Sequence, residues 1–165
     1  MHYKKRTHTC NALRVNDIGQ AVTLTGWVDS RRDLGGVVFI DLRDRYGKTQ
    51  VVFNPQTNKQ VHELAGTLRS EFVISVTGKV ERRPAGTENP AIPTGEIDVI
   101  AQELTILNKA DTPPFAIDDD VDISEETRLK YRYLDLRRPR MQKNLLLRHK
   151  MYLMTRNYFD ELVFA

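Results

Sequence analysis

The 165-residue chain carries 25 Lys and Arg against 22 Asp and Glu, a formal charge of +3, with 40% apolar and 28% charged residues. That is ordinary globular composition, enough for one domain and part of a second, and it excludes disordered, collagen-like and strongly polybasic classes. The single cysteine, Cys10, excludes an intrachain disulfide, and the four histidines show no metal-ligand spacing.

The basic N-terminus MHYKKRTHTC is followed by no apolar signal-peptide segment, and no stretch has the length of a membrane-spanning helix. A cytoplasmic location is therefore expected. Residues up to Gln20 lack periodicity and read as an arm leading into the fold. AVTLTGWVDSRR follows as a first strand, with Val22, Leu24 and Val28 on one face and Gly26 marking a bulge or bend. Trp27 is expected to fill the interior. Gly35-Gly36 turns the chain into GVVFIDLRDR, the second strand, whose Val38, Ile40 and Leu42 point inward. Phe39 then faces outward with Asp41 and Arg43.

Tyr46-Gly47 is expected to close a hairpin into KTQVVFN, the third strand. A two-residue loop there pairs Leu42 with Val51 and Ile40 with Phe53 inside. Outside, it sets Arg43 opposite Gln50 and Phe39 opposite Asn54. The period then changes: Val61, Leu64, Ala65 and Leu68 recur at helical spacing. EFVISVTGKVERR returns to period two, with Phe72, Ile74, Val76 and Val80 inward and Ser75, Thr77, Lys79 and Arg83 outward. After the Pro- and Gly-rich loop PAGTENPAIPTG comes EIDVIAQELTILN. Its apolar face switches between Val99 and Leu104, which implies a bulge.

Three strands, a helix and two more strands is the order of a mainly β, five-stranded oligonucleotide/oligosaccharide-binding (OB) barrel, whose second and third strands face the ligand. The barrel is expected over residues 1–108. A linker at 109–123, stiffened by Pro113-Pro114 and solvated by Asp118 to Asp120, leads to a helical segment at 124–165. The first helix there starts near Ser124, with Glu125 and Glu126 in its first turn, and Pro139 suits the start of another. Leu147, Met151, Met154, Tyr158 and Leu162 form an apolar stripe that a lone helical tail cannot bury. In RLKYRYLDLRRPRM, Tyr131, Leu134 and Leu136 are expected to dock inward.

The outward Phe39 is either a stacking platform for an unpaired base or a ring that a bulge turns back into the core. Gln50 shares its face and offers both donors and an acceptor to a base edge. Arg31, Arg32, Arg69, Arg82 and Arg83 can line a groove for phosphates, and Asn89 and Asp98 can reach a base edge. No phosphate-cradling Gly-rich loop, nucleophile motif or acid–base pair of carboxylates stands out, so no catalytic residue is assigned.

The strings TGWVDSRRDLGGVVFIDLRDRYGKTQVVFNP, RSEFVISVTGKV, TGEIDV and RLKYRYLDLRRP resemble, in order and spacing, the N-terminal part of the bacterial aspartyl-tRNA synthetases. The resemblance implies an anticodon-binding barrel hinged to a class II catalytic domain that dimerises and uses ATP and Mg. It implies that Phe39 stacks on the middle anticodon base of tRNA(Asp) and that Gln50 bonds that base's edge. Arg32 and Arg69 would contact the anticodon loop, and Arg83, Asn89 and Asp98 would contact or flank the first base or the backbone. Asp98 replaces a glutamate common in the family. Glu81 stands where some members carry an arginine, so no contact is carried to it. Leu34 resembles members confined to tRNA(Asp), while Gly86 resembles those that also charge tRNA(Asn); the two point in opposite directions. FDELVFA replaces the Gly-Phe and Glu-Thr-Pro strings that follow this helix in the family, so the chain alone is expected not to aminoacylate. The alternative is a free-standing or regulatory barrel that binds single-stranded nucleic acid.

Overall fold

The computed structural model describes residues 4–162. These fall into two compact units that divide between Pro113 and Pro114. Five strands form the first unit: β1 (Ala21–Leu34), β2 (Val37–Asp44), β3 (Gly47–Phe53), β4 (Val73–Arg82) and β5 (Ile97–Asn108). They close in the order β1-β2-β3-β5-β4, with β3 and β5 parallel at Val51 and Val99 and all other pairs antiparallel. Helix α1 (Lys59–Gly66) lies between β3 and β4, and the Asn58 side chain caps it by accepting from the Val61 amide. This is the five-stranded barrel that the element order implies.

Alternation selects the interior. Val22, Leu24, Val28, Val38, Ile40, Leu42, Val51, Phe53, Ile74, Val76, Val80 and Val99 are all essentially inaccessible. The N-terminal segment is more than an arm: Cys10 and Leu13 are fully buried in the same core. The backbone holds them there. The Cys10 amide donates to Asp44 Oδ2 at 2.9 Å, and Thr49 Oγ1 donates to the Cys10 carbonyl at 2.5 Å. Burial, reinforced by Asp44, pushes the Cys10 thiol far above its ordinary range, so it stays protonated. Trp27 does not fill the barrel. Gly26 and Val28 take the inward positions, leaving the indole half-buried on the outer face.

Two local expectations change. The hairpin turn is Arg45-Tyr46, one residue earlier than expected, because Asp44 Oδ1 accepts from the amides of Tyr46 and Gly47 at 2.7 and 3.2 Å. The register therefore moves by two: Ile40 pairs with Val51, Asp41 with Gln50 and Phe39 with Val52. Inward and outward faces survive, since a shift of two preserves alternation. The β1 irregularity lies at Asp29, between Val28 and Ser30, rather than at Gly26. Gly26 serves close approach instead, since a Cβ there would stand 2.4 Å from the Arg43 carbonyl oxygen. Gly35-Gly36, with φ of +61° and +79°, forms the expected two-residue turn, and β5 carries its bulge at Gln102.

The second unit contains α2 (Glu125–Lys130), α3 (Arg132–Asp135) and α4 (Pro139–Glu161). Ser124 caps α2 as expected, and Pro139 is the first residue of α4. Asp135 is fully buried among Arg128, Arg132 and Arg138, at 3.0, 2.6 and 3.5 Å. Burial opposes its charge, but the guanidiniums outweigh it and hold the carboxyl below the usual range. Arg138 also donates to the carbonyls of Asp118, Asp119 and Val121, so the acidic stretch is tied down rather than a free spacer. Leu134 is buried as expected, while Tyr131 and Leu136 are half-buried. Leu147, Met151, Met154, Tyr158 and Leu162 are all exposed. Among the described residues, no helix is long and apolar enough to cross a membrane.

Replacing Gly26 by Ala forces the β1 and β2 backbones apart and is expected to cost about 1–3 kcal/mol in urea unfolding. Gly66→Ala, where a Cβ meets nothing within 4 Å, is the control expected to leave the midpoint unchanged or raise it. Equal midpoints for both variants would contradict the close-approach role.

Candidate nucleic-acid interface

The outer face of β1, β2 and β3 begins with cross-strand neighbours. Arg32, Phe39 and Val52 lie side by side, and the next row is Ser30, Asp41 and Gln50. Phe39 is half-buried on this outer face and does not belong to the core cluster. Its cross-strand neighbour Val52 is nearly inaccessible, while the ring keeps part of its own surface open.

A chain of polar side chains runs beside the ring. Ser30 Oγ donates to Asp41 Oδ2 at 2.6 Å, and Arg32 Nη2 donates to both Asp41 oxygens at 3.3 Å. The same Arg32 nitrogen reaches Gln50 Oε1 at 2.9 Å. Gln50 Nε2 donates to Asp98 Oδ1 at 3.0 Å, and Arg83 Nε meets that oxygen at 2.9 Å and the Ile97 carbonyl at 3.1 Å. Four of the candidate residues are thus one connected structure that crosses β1, β2, β3 and β5 and ends beyond β4. Gln50, Asp98 and Arg83 are less open than alternation implies, at 8%, 7% and 5% exposure. Alternation sets the face a side chain takes but not whether neighbours cover it; here Arg83 and Asp98 pair and cover each other. Arg83 Nη2 is buried and has no hydrogen-bond partner among the described residues, so it keeps a spare donor.

Arg69 and Asn89 lie outside this chain. Arg69 is exposed in the turn before β4, where Glu71 adopts φ of +66°. That uncommon conformation is held by the Glu71 amide donating to the Val28 carbonyl at 2.7 Å and by its carboxylate pairing with Arg43. Asn89 is exposed in the 84–96 loop. Its Oδ1 accepts from the Ala91 amide at 3.0 Å, leaving its NH₂ directed elsewhere. The loop is pinned by Thr94 Oγ1 donating to the Lys48 carbonyl at 2.7 Å. Arg31, Arg32 and Arg82 are exposed, as a phosphate-binding surface needs.

Sequence reading missed Asp41, Ser30 and Glu71. Asp41 had a visible signal, a carboxylate alternating with Phe39 and Arg43 on the outer face. Glu71 had none, because nothing in the string marks a left-handed residue that is not glycine or asparagine. Elsewhere on the barrel, a cavity of about 420 Å³ lies between Lys5, Arg6, Trp27 and Val73.

A closed barrel with its helix between the third and fourth strands, and an aromatic and polar face over the second and third, defines an oligonucleotide-binding module. The chain belongs to the family described as OB-fold nucleic acid binding domain, whose model matches residues 22–107. Residues 124–165 match the model of tRNA synthetases class II (D, K and N). The aspartate–tRNA(Asp/Asn) ligase of Halothermothrix orenii is 57% identical over 157 residues, 95% of this chain and 27% of that protein. The ligase of the same name from Desulfatibacillum aliphaticivorans is 56% identical, over 95% of this chain and 26% of its own length. The chain therefore spans about a quarter of these curated relatives. The crystal structure of asparaginyl-tRNA synthetase from Pyrococcus horikoshii superposes with a TM-score of 0.76. It covers 93% of this chain and 35% of that one at 23% identity, a likeness of fold alone.

Burial raises the Asp98 carboxyl above its usual range despite Arg83 and Gln50, with nearby Asp41 adding to the rise. The folded protein therefore takes up this proton at higher pH than the unfolded chain. Its contribution to stability grows as pH falls from neutral towards the ordinary carboxylate range. The urea midpoint of the wild type, relative to Asp98→Asn, is expected to rise over that interval; a flat or falling difference would contradict the shift.

Proposed function

We propose that this chain is the anticodon-reading part of an aspartate–tRNA ligase, with the anticodon loops of tRNA(Asp) and tRNA(Asn) as its ligands. The observation that carries the reading is the partly open Phe39 ring beside the connected chain of Arg32, Gln50, Asp98 and Arg83. The ring supplies stacking, which is worth about 1–3 kcal/mol per base and is blind to identity. Gln50 supplies identity, having one lone pair and one N–H left after its bonds to Arg32 and Asp98. Arg32, Arg69 and Asn89 are exposed and take the loop's phosphates and neighbouring bases, with Arg83 and Asp98 supporting from beneath.

The relatives are named as ligases for both tRNAs, and the two anticodons share their first two bases, guanine and uracil. In the whole protein, the remaining length supplies a class II catalytic domain that uses ATP and Mg to aspartylate tRNA in the cytoplasm as a homodimer. Among the described residues no three His, Cys, Asp or Glu side chains gather as a metal site, and no chemical step is assigned to this chain. The exposed apolar residues of α4 fit a role as the opening of that larger domain.

The test is the affinity of the chain for an aspartate anticodon stem-loop RNA, measured by fluorescence anisotropy for wild type and Phe39→Ala. Loss of stacking is expected to weaken binding roughly 5- to 150-fold. Unchanged affinity in a folded variant would remove Phe39 from the site. Equal affinity of the wild type for stem-loops of every anticodon would instead indicate a barrel that binds single strands without choice.

A further inference from the structure

Among the described residues, Glu71 is the one residue other than glycine with a positive φ, +66°. It is the third residue of a turn closed by the Phe72 amide donating to the Arg69 carbonyl at 3.2 Å. Glycine or asparagine fills such a position with least strain. A glutamate is disfavoured there by its own backbone and persists only because its surroundings hold it. Its carboxylate pairs with Arg43, whose Nε donates to Asp29 Oδ1 at 2.7 Å, and Lys48 Nζ meets the other Asp29 oxygen at 2.5 Å. The backbone adds two bonds to β1: the Glu71 amide donates to the Val28 carbonyl at 2.7 Å, and the Val28 amide donates to the Phe72 carbonyl at 2.9 Å. The turn that carries Arg69 is thus anchored to β1 through its backbone and to β2 through its carboxylate.

Beside this turn, where β4 begins and β5 ends, lies a cavity of about 400 Å³. Arg69, Lys109 and Asp111 line it with the buried Phe72, while Val73, the next residue, lines the separate cavity beside Trp27. Elsewhere on the barrel Arg43, Lys48, Lys79 and Arg83 each have a carboxylate partner. Among the described residues the side chains of Arg69 and Lys109 have none, although Asp111 lines the same recess. Two cations outweigh one carboxylate, so the recess favours an anion. A guanidinium fork beside an ammonium point charge suits a phosphate with several acceptor oxygens. The volume is that of a pocket for a sizeable ligand, which leaves room for the sugars on either side of a phosphodiester.

We propose that Arg69 and Lys109 form a seat for one backbone phosphate of the bound RNA, with Glu71 as the positioning residue that holds the turn of the seat in place. The proposal rests on the anticodon-reading function above and extends it from bases to backbone. Arg43, the anchor of Glu71, stands four residues from Phe39 on the same face of β2, about 13 Å along the strand. The seat therefore serves a different nucleotide from the one stacked on the ring. A phosphate contact is blind to sequence; it fixes the register of the RNA and adds affinity that salt weakens. Asp111 opposes it, which keeps the seat from holding anions indiscriminately.

The experiment measures the affinity of the 165-residue chain for two stem-loop RNAs, one with the aspartate anticodon and one with an unrelated anticodon, across a range of salt. Lys109→Gln is expected to weaken both RNAs by the same factor, about threefold or more at low salt, and to lower the slope of log affinity against log salt by about 0.7–1. Asp111→Asn is expected to strengthen both. Glu71→Gly, which relieves the backbone but removes the anchor, is expected to lower the slope as Arg69→Gln does, and the two together to lower it no further. Glu71→Gln, which still accepts from Arg43, is expected to restore most of the slope. Lys59→Gln is the control, at the far end of α1, whose eight residues span about 12 Å. Folding of each variant is checked by the resistance of the buried Cys10 thiol to alkylation. Should Glu71→Gly fail that check, the exposed Lys109 and Asp111 variants carry the test. An unchanged slope in Lys109→Gln, or an equal fall in Lys59→Gln, overturns the seat. Weaker binding in Asp111→Asn also overturns it, by showing that the recess takes a cationic group. Inorganic phosphate that shifts the Lys109 signals, while Lys109→Gln leaves RNA affinity unaltered, makes the recess a free-anion site and overturns the assignment to RNA. A wild type with no preference between the two anticodons overturns the reading of bases, and a lowered slope in Lys109→Gln would still support the seat.

Discussion

A guanidinium and a carboxylate buried in the barrel wall, Arg83 and Asp98, constrain everything around them. Either charge alone in that position would cost several kcal/mol, so each must be answered by a partner with correct geometry. Arg83 uses its Nε on both Asp98 and the Ile97 carbonyl. Asp98 completes its oxygen with the Gln50 amide, and Gln50 then requires a donor at its other end, which Arg32 supplies. The pair thus propagates outward one hydrogen bond at a time, from the shielded wall to an exposed arginine beside Phe39. What reaches solvent is a short row of oriented donors and acceptors whose geometry is set from within.

The barrel makes such a row feasible by holding its strands rigidly. Gly26 and Gly78 allow backbone carbonyls to approach where any Cβ would stand 2.4 Å away. At Gly26 the approaching carbonyl is that of Arg43 on β2, where β1 passes from its partnership with β4 to that with β2; at Gly78 it is that of Ile100, where β4 meets β5. Cys10 and Leu13, buried from the N-terminal side, and Leu68, just after α1, complete the core at positions the strands do not fill. A site made of half-exposed polar groups gains precision from rigid elements beneath it; Arg32, Phe39, Gln50 and Asp98 lie on strands, while Arg69, Arg83 and Asn89 come from the segments between them.

Much of this was legible in the string. Period-two alternation placed Val22, Leu24, Val38, Ile40 and Leu42 inside, and it set Phe39 outside, because core burial leaves no tolerance for slipping a strand by one. The change to helical spacing at Val61 and the Gly35-Gly36 turn were equally plain. Other features depend on atoms distant in sequence. The hairpin turn moved to Arg45-Tyr46 because the Asp44 side chain captures two amides, a competition that the Tyr46-Gly47 pair does not advertise. Trp27 looked like a core residue by size, yet the inward slot next to it had gone to Gly26. The burial of Arg83 could not be read from β4 alone, since its partner Asp98 lies on another strand. Asp41 shows the general limit: its residue type was visible, but its meaning came only from the company of Ser30, Arg32 and Gln50 across three strands.

The claim at the centre is that a nucleobase lies between the Phe39 ring and the Gln50 amide. The most direct measurement is an NMR titration of the isotope-labelled chain with an aspartate anticodon stem-loop, following aromatic and side-chain amide signals. The account predicts the largest shifts at the Phe39 ring and the Gln50 NH₂, smaller ones at Arg32 and Asn89, and none at Trp27 or Val73. Saturable binding that moves the signals of Trp27 and Val73 and leaves Phe39 and Gln50 where they were would place the ligand on another face and contradict it.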